Sequence, residues 1–392
     1  MSDTAAPAML KGIKVVDLTT VVFGPYCTQI LADLGAEVIK VETPGSGDVL
    51  RWAAKSAQTP GMSPAFFGFN HGKRSIALDL KQPDDSAVIR QLLAEADVFV
   101  ANVRGKPLKR LGLDYDAVRA IRPDIIYVHC VGFGQDGPYA DLQAYDDVIQ
   151  AAAGVTSLLP EVDGNSAPRF FPSLIADKVS GLHAAYAAIA ALFHRERTGE
   201  GQKVEVPMYE AFTSFMLSEH LGGLTFDPPV GPPGYRRQLD PDRQPFPTAD
   251  GHIVMVAYTY DAWDRIFALL EAPDFLQDPR FEGPQARAAA MPEMYRRMAE
   301  LTRQFTTEDL IARCHAAQIP AQPVKDIPGV LADPHLNAVG MFQQREHPSE
   351  GRYHEMVQPV RFGAMPPVER RAPPLLDQDG PAIRAELARK DN

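Results

Sequence analysis

Ile13–Glu42, IKVVDLTTVVFGPYCTQILADLGAEVIKVE, decides the fold. Ile13 to Leu18 reads as a short buried strand, Phe23-Gly24-Pro25 is turn-like, and Tyr26 to about Leu34 reads as a helix. After the Leu34-Gly35-Ala36 turn, a second strand runs from Glu37 to Glu42. Strand, loop, helix and strand within about 30 residues make a βαβ unit of a parallel sheet with a right-handed crossover. Further units follow at Ser75–Leu80 (strand), Ser86–Glu95 (helix), Val98–Ala101 (strand) and Ile125–His129 (strand). The expected fold class is α/β, with a Rossmann-like large domain on a parallel sheet. The first loop lacks GxGxxG, so a dinucleotide cofactor is not supported.

A chain of 392 residues has room for two or three domains, and 45% hydrophobic with 23% charged residues is ordinary for a globular protein. A net charge of −11 argues against nucleic acid and against an anionic membrane surface as partners. An anionic ligand therefore needs a local basic cluster. Lys73 and Arg74 precede one strand, and Arg104, Lys106, Lys109 and Arg110 follow another. The second group lies at a carboxyl strand end, where open α/β sheets bind ligands. Either group reads equally as a solvated surface. Cys27, Cys130 and Cys314 are far apart and show no metal-ligand spacing, so no metal is expected and the thiols read as reduced in a cytoplasm. No signal peptide or membrane span is read from the sequence.

Pro172–Val206, PSLIADKVSGLHAAYAAIAALFHRERTGEGQKVEV, carries the candidate chemistry. Val179, Leu182, Tyr186, Ile189 and Phe193 recur at helical spacing, with alanines between them that allow close packing. Asp177 is expected at or near the helix N-terminus, where backbone N–H groups and the macrodipole favour its ionised form. An ordinary N-cap would place an Asp there as well. Tyr145–Val155 also reads as a helix, with Asp146 and Asp147 as common first-turn acids.

The chain resembles the class III CoA-transferases, the family of formyl-CoA and crotonobetainyl-CoA transferases. The matching text is LKGIKVVDLT from Leu10, GPYCTQILADLGAEVIKVETPGSGD from Gly24, NHGKRSIALDL from Asn70, the stretch Leu108–Tyr139, AYDDVIQAAAGV from Ala144, and Ala176–Ala211. Weaker similarity continues through PTADGHIVMV and IPAQPVKDI to PLLDQDG.

The resemblance implies that Asp177 is the nucleophile of an acyl-CoA thioester reaction, passing CoA to a free carboxylic acid through a mixed anhydride and an aspartyl-CoA thioester. It implies CoA contacts at Val22, Phe23, Asn70, Lys73, Asn102, Val103, Arg104, Arg110, Gln143 and Tyr145, with Lys73, Arg104 and Arg110 facing phosphates. CoA enters as a substrate, and no other cofactor is implied. The partners are acyl-CoA and small carboxylic acids, and a homodimer of interlocked subunits is implied. Val22 stands where formyl-CoA transferase has Gln, and Thr43 replaces an Arg. That enzyme's glycine-rich oxalate loop has no counterpart in Val230–Gly251, where Arg236 and Arg237 are candidates for an acid substrate.

The expected domains are residues 1–222 (N-terminal part of the large CoA-binding domain), 223–250 (linker or substrate loop), 251–325 (smaller α+β domain) and 326–392 (return to the large domain). Two other readings stay open. In 2-methylacyl-CoA racemases a GHD motif supplies the base, but Ala144-Tyr145-Asp146 stands in its place. A CoA-binding protein without catalysis would retain Asp177 as a cap.

Overall fold

The βαβ unit forms as β1 (Lys14–Leu18), α1 (Phe23–Asp33) and β2 (Glu37–Glu42) in a computed structural model that describes residues 8–364 and 370–389. Residues 1–7 and 390–392, at the ends of the expected first and last domains, lie outside the described residues, as do residues 365–369 of the expected return segment. The parallel sheet is completed by β3 (Lys73–Ala77), β4 (Val98–Ala101), β5 (Ile126–Val131) and β6 (Gln202–Pro207), in the order β3-β2-β1-β4-β5-β6. β1 pairs in parallel with both β2 and β4, so strand order reverses there. Such a reversal opens a crevice beyond the carboxyl ends of the two strands.

β4 and β5 are buried along their whole length, which is why they read as apolar runs rather than alternating patterns. The helices are α2 (Pro64–Asn70), α3 (Pro83–Glu95), α4 (Gly105–Arg110), α5 (Tyr115–Ile121), α6 (Asp146–Ala152), α7 (Leu158–Asp163) and α8 (Ile175–Thr198). One core joins Val16, Ile76, Phe99 and Tyr127 of the sheet to Ile89, Leu93 and Val118 of α3 and α5.

β3 begins two residues before the expected Ser75, so Lys73 and Arg74 are strand residues. α3 starts at Pro83 rather than Ser86, because proline suits the first helical position.

α8 departs from its apolar pattern. Its buried face is mostly small residues, Ser180, Gly181, Ala184, Ala185, Ala188 and Ala191, beside Val179 and Leu192, while Leu182, Tyr186 and Phe193 are 50%, 60% and 62% exposed. Close packing on α1 explains this: a Cβ at position 181 would lie 2.9 Å from the Phe23 carbonyl oxygen. The helix stops at Gly199, whose φ of 76° suits glycine.

The described chain divides into two compact units. One contains the residues up to Gly154, Phe170–Leu217 and those from Ala338 onward; the other contains Val155–Arg169 and Ser218–Asn337. The division thus adds Val155–Arg169 to the second unit and starts the return at Ala338. The second unit has its own core, in which Trp263, Phe267, Phe281, Met294 and Leu310 pack beside an antiparallel sheet of β7 (Phe246–Pro247), β8 (His252–Met255) and β9 (Ala321–Pro323).

Candidate active site

Asp177 is the third residue of α8, and Leu174 occupies the N-cap position with no side-chain cap. The expected cap role is therefore corrected. The helix begins earlier, and Asp177 is buried, with 5% of the residue exposed. The backbone N–H of Phe23, the first residue of α1, acts on the carboxyl and favours its charged form. The Asp177 backbone N–H donates to Asp146 Oδ1 at 3.0 Å. Gln150, one turn along α6, donates to Asp146 Oδ2 at 2.6 Å, accepts the Phe171 N–H at 2.8 Å and donates to the Ser173 carbonyl at 3.1 Å. Gln150 thereby ties α6 to the segment that leads into α8.

The expected lowering of the Asp177 pKa is also reversed. Burial and the neighbouring Asp146 carboxylate raise it from 3.8 to about 7, against the smaller downward pull of the Phe23 N–H. Asp177 is a strong base for a carboxylate because its charge is poorly solvated and repelled.

The loop between β1 and α1 leads directly into Phe23. Asn102, just beyond β4, holds Thr20 in both directions: Oδ1 accepts the Thr20 N–H at 3.0 Å and Nδ2 donates to the Thr20 carbonyl at 2.7 Å. The pair spans the point where strand order reverses. Val21 has φ of 70°, strained for a β-branched residue, and its N–H donates to Asp48 Oδ1 at 3.0 Å. Asp48 Oδ2 in turn lies 2.9 Å from Lys40 Nζ, and both side chains are fully buried. Val22 and Phe23 follow, 0% and 3% exposed, so that backbone rather than side chain is presented from this turn.

The sequence-derived contact residues separate into two groups. Val22, Phe23, Asn102, Val103 and Arg104 lie beyond β1 and β4 at the carboxyl edge, where Val103 O is 3.0 Å from His129 Nε2 of β5. Arg104 and Tyr145 are exposed at the N-cap positions of α4 and α6, and Gln143 is exposed two residues before Tyr145. Arg110 lines a cleft of about 590 Å³ with Lys81, Gln82 and Ser86.

Asn70 and Lys73 belong elsewhere. Both are fully buried, and Lys73 Nζ spends its donors on Asp17 Oδ2 (3.0 Å), Asn70 Oδ1 (2.9 Å) and the Pro25 carbonyl (3.0 Å). Burial alone would raise Asp17, but Lys73 and Lys40 overrule it and hold the carboxyl at about 2. Lys73 therefore supports the first turn of α1 from within the domain, and the expected phosphate contact is withdrawn for it. Arg74 is likewise taken, by Glu37 at 2.8 Å and Glu386 at 2.7 Å.

Sequence reasoning gave Asp146 no chemistry and passed over Gln150. Acids in a first turn are commonplace, and only the pairing with Asp177 distinguishes this one.

The family model described as CoA-transferase family III matches residues 10–380 of this chain. The succinate–glutarate CoA-transferase of Agrobacterium fabrum is 32% identical over 386 residues, covering 96% of this chain and 95% of that protein. The formyl-CoA:oxalate CoA-transferase of Escherichia coli O157:H7 is 30% identical, covering 98% and 96%. The crystal structure of a CAIB/BAIF family protein from Brucella suis superposes with a TM-score of 0.84 at 31% identity, covering 97% of this chain and all of that one.

Proposed function

The chain belongs to CoA-transferase family III and is a CoA-transferase, and from that premise we propose that it passes CoA from an acyl-CoA to a free carboxylic acid through Asp177. The carboxylate attacks the thioester carbonyl, CoA thiolate departs, and a mixed anhydride remains on the enzyme. The thiolate returns to the aspartyl carbonyl, forming an aspartyl-CoA thioester and releasing the donor acid. The acceptor carboxylate then attacks this thioester, and the same steps run in reverse. Electrons and groups balance without metal or redox cofactor, since CoA is both leaving group and returning nucleophile.

The observation that carries this reading is the burial of Asp177 beside Asp146. A carboxylate destabilised by desolvation and like charge loses that charge when it becomes acylated, so the forces that raise its pKa also favour attack. The Phe23 N–H opposes that shift in part, which keeps an ionised fraction available for attack. Succinyl-CoA with glutarate is the first pair to assay, given the names of similar proteins. The deciding experiment is mass spectrometry of the exchanged thioester with the wild-type chain and with Asp177→Ala. Exchange that survives the substitution would remove Asp177 from the role.

Val22, Phe23, Asn102, Val103, Arg104, Arg110, Gln143 and Tyr145 are proposed to contact CoA. A homodimer is proposed because Leu182, Tyr186 and Phe193 present large apolar side chains along the outer face of α8. The three cysteines are free and buried, which suits the proposed cytoplasmic setting. Among the described residues no helix is long and apolar enough to cross a membrane.

A further inference from the structure

A cavity of about 140 Å³ lies within the smaller unit, lined by Arg237, Arg243, Phe246, Met255, Trp263 and Tyr295, among others. Its floor is the top of that unit's core: Phe246, Met255, Trp263 and Tyr295 are each at most 7% exposed. Its polar side is made of two guanidinium groups. Neither has a carboxylate partner among the described residues. Arg237 donates through Nη2 to the Ala257 carbonyl at 3.1 Å and lies over the Tyr258 ring, while its Nε is buried with no hydrogen-bond partner. Arg243 donates to the amide oxygen of Gln238 at 2.8 Å.

What sets these two arginines apart is that both line one cavity over an apolar floor. Neighbouring Asp242 is taken by Arg296. An unmatched buried donor costs free energy that an incoming acceptor would recover. A guanidinium fork selects a planar carboxylate, and the aromatic and thioether floor selects a hydrocarbon body behind it.

We propose that this cavity binds a small organic monocarboxylate, with its carboxylate on Arg237 and Arg243 and its hydrocarbon end on Trp263 and Tyr295. The proposal does not rest on the role of Asp177, because every lining residue belongs to the smaller unit.

The chain has two tryptophans, so Trp52→Phe leaves Trp263 as the reporter. Hexanoate titrated into this otherwise intact chain should change Trp263 emission saturably. Hexan-1-ol should bind about 10-fold or more weakly, and Arg237→Gln or Arg243→Gln should weaken hexanoate by ~10–100-fold, the range expected for a hydrogen bond to a charged group. The response should persist in Asp177→Asn. An absent response to hexanoate, equal binding of hexan-1-ol, or loss of the response with Asp177→Asn would each overturn the proposal. The acid and alcohol comparison needs no arginine substitution, so it decides the matter even where a variant fails to fold.

Discussion

Asp146 Oδ1 accepts the backbone N–H of Asp177 at 3.0 Å, so one acidic side chain both anchors the first turn of α8 and repels the carboxylate that α8 carries. These two effects can be separated. Asp146→Asn retains an amide oxygen for the N–H but removes the charge.

With a pKa of about 7, Asp177 is largely protonated at pH 6 and ionised at pH 8. Transferase activity should therefore rise with pH and level off above about 7. In Asp146→Asn the rise should move to lower pH, because the charge that helps to lift Asp177 is gone. A pH profile of kcat/KM measured on both proteins checks this, and coincident profiles would contradict it.

The same shift makes a stability prediction. Because the folded pKa of Asp177 lies above its unfolded value, its favourable contribution is complete below about pH 4 and is lost as pH rises through about 7. Asp177→Asn should thus gain stability relative to wild type across that window, with a ceiling of ~4 kcal/mol for a shift of this size. Urea unfolding at pH 4.5 and pH 8 measures the difference, which should be larger at pH 8. The same variant should be inactive and still bind CoA.

Lys73 and Arg104 should fail in opposite ways. Lys73→Met leaves Asp17 buried with a lost ammonium, and should cost about 3–5 kcal/mol of stability. Arg104→Ala touches an exposed side chain, and should raise KM for acyl-CoA with little change in Tm. Thermal unfolding alongside steady-state kinetics distinguishes them; a stable Lys73→Met enzyme with a raised KM would return Lys73 to the CoA site.

Asn102→Ala should cut the two hydrogen bonds to Thr20 and release the turn before α1. The expected cost is about 1–3 kcal/mol of stability together with a fall in kcat, since that turn leads into Phe23, against which α8 packs at Gly181. Asn102→Asp keeps one acceptor and should rescue only part of the loss. An unchanged kcat in Asn102→Ala would show that the clamp does not position the nucleophile.

Tyr186 and Phe193 offer a test of assembly. Replacing both with Glu on the outer face of α8 should shift the protein from dimer to monomer in light scattering, with far-UV circular dichroism unchanged. A wild-type chain that elutes as a monomer at micromolar concentration would refute the proposed dimer.

Much of the fold was legible because short apolar runs alternating with helical segments admit few arrangements other than a parallel sheet. Ile13–Glu42 alone specified β1, α1 and β2 to within a few residues, and Val98–Ala101 was read at its observed limits. The face of α8 was not legible in the same way. Periodicity identifies which residues share a side, yet whether large or small residues turn inward depends on how close the neighbouring helix comes, and that distance is set by Gly181 against Phe23.

The sequence by itself determined the kind of sheet and, through the motifs from Leu10 to Ala211, the position of a carboxylate at the start of a helix. Only the tertiary structure decided what surrounds that carboxylate. Asp146 is 31 residues from Asp177 in the chain, and Lys73 is 56 residues from Asp17. Whether a charge is solvated, paired or opposed depends on such distant neighbours, so the direction of the Asp177 pKa and the seclusion of Lys73 were fixed only by folding.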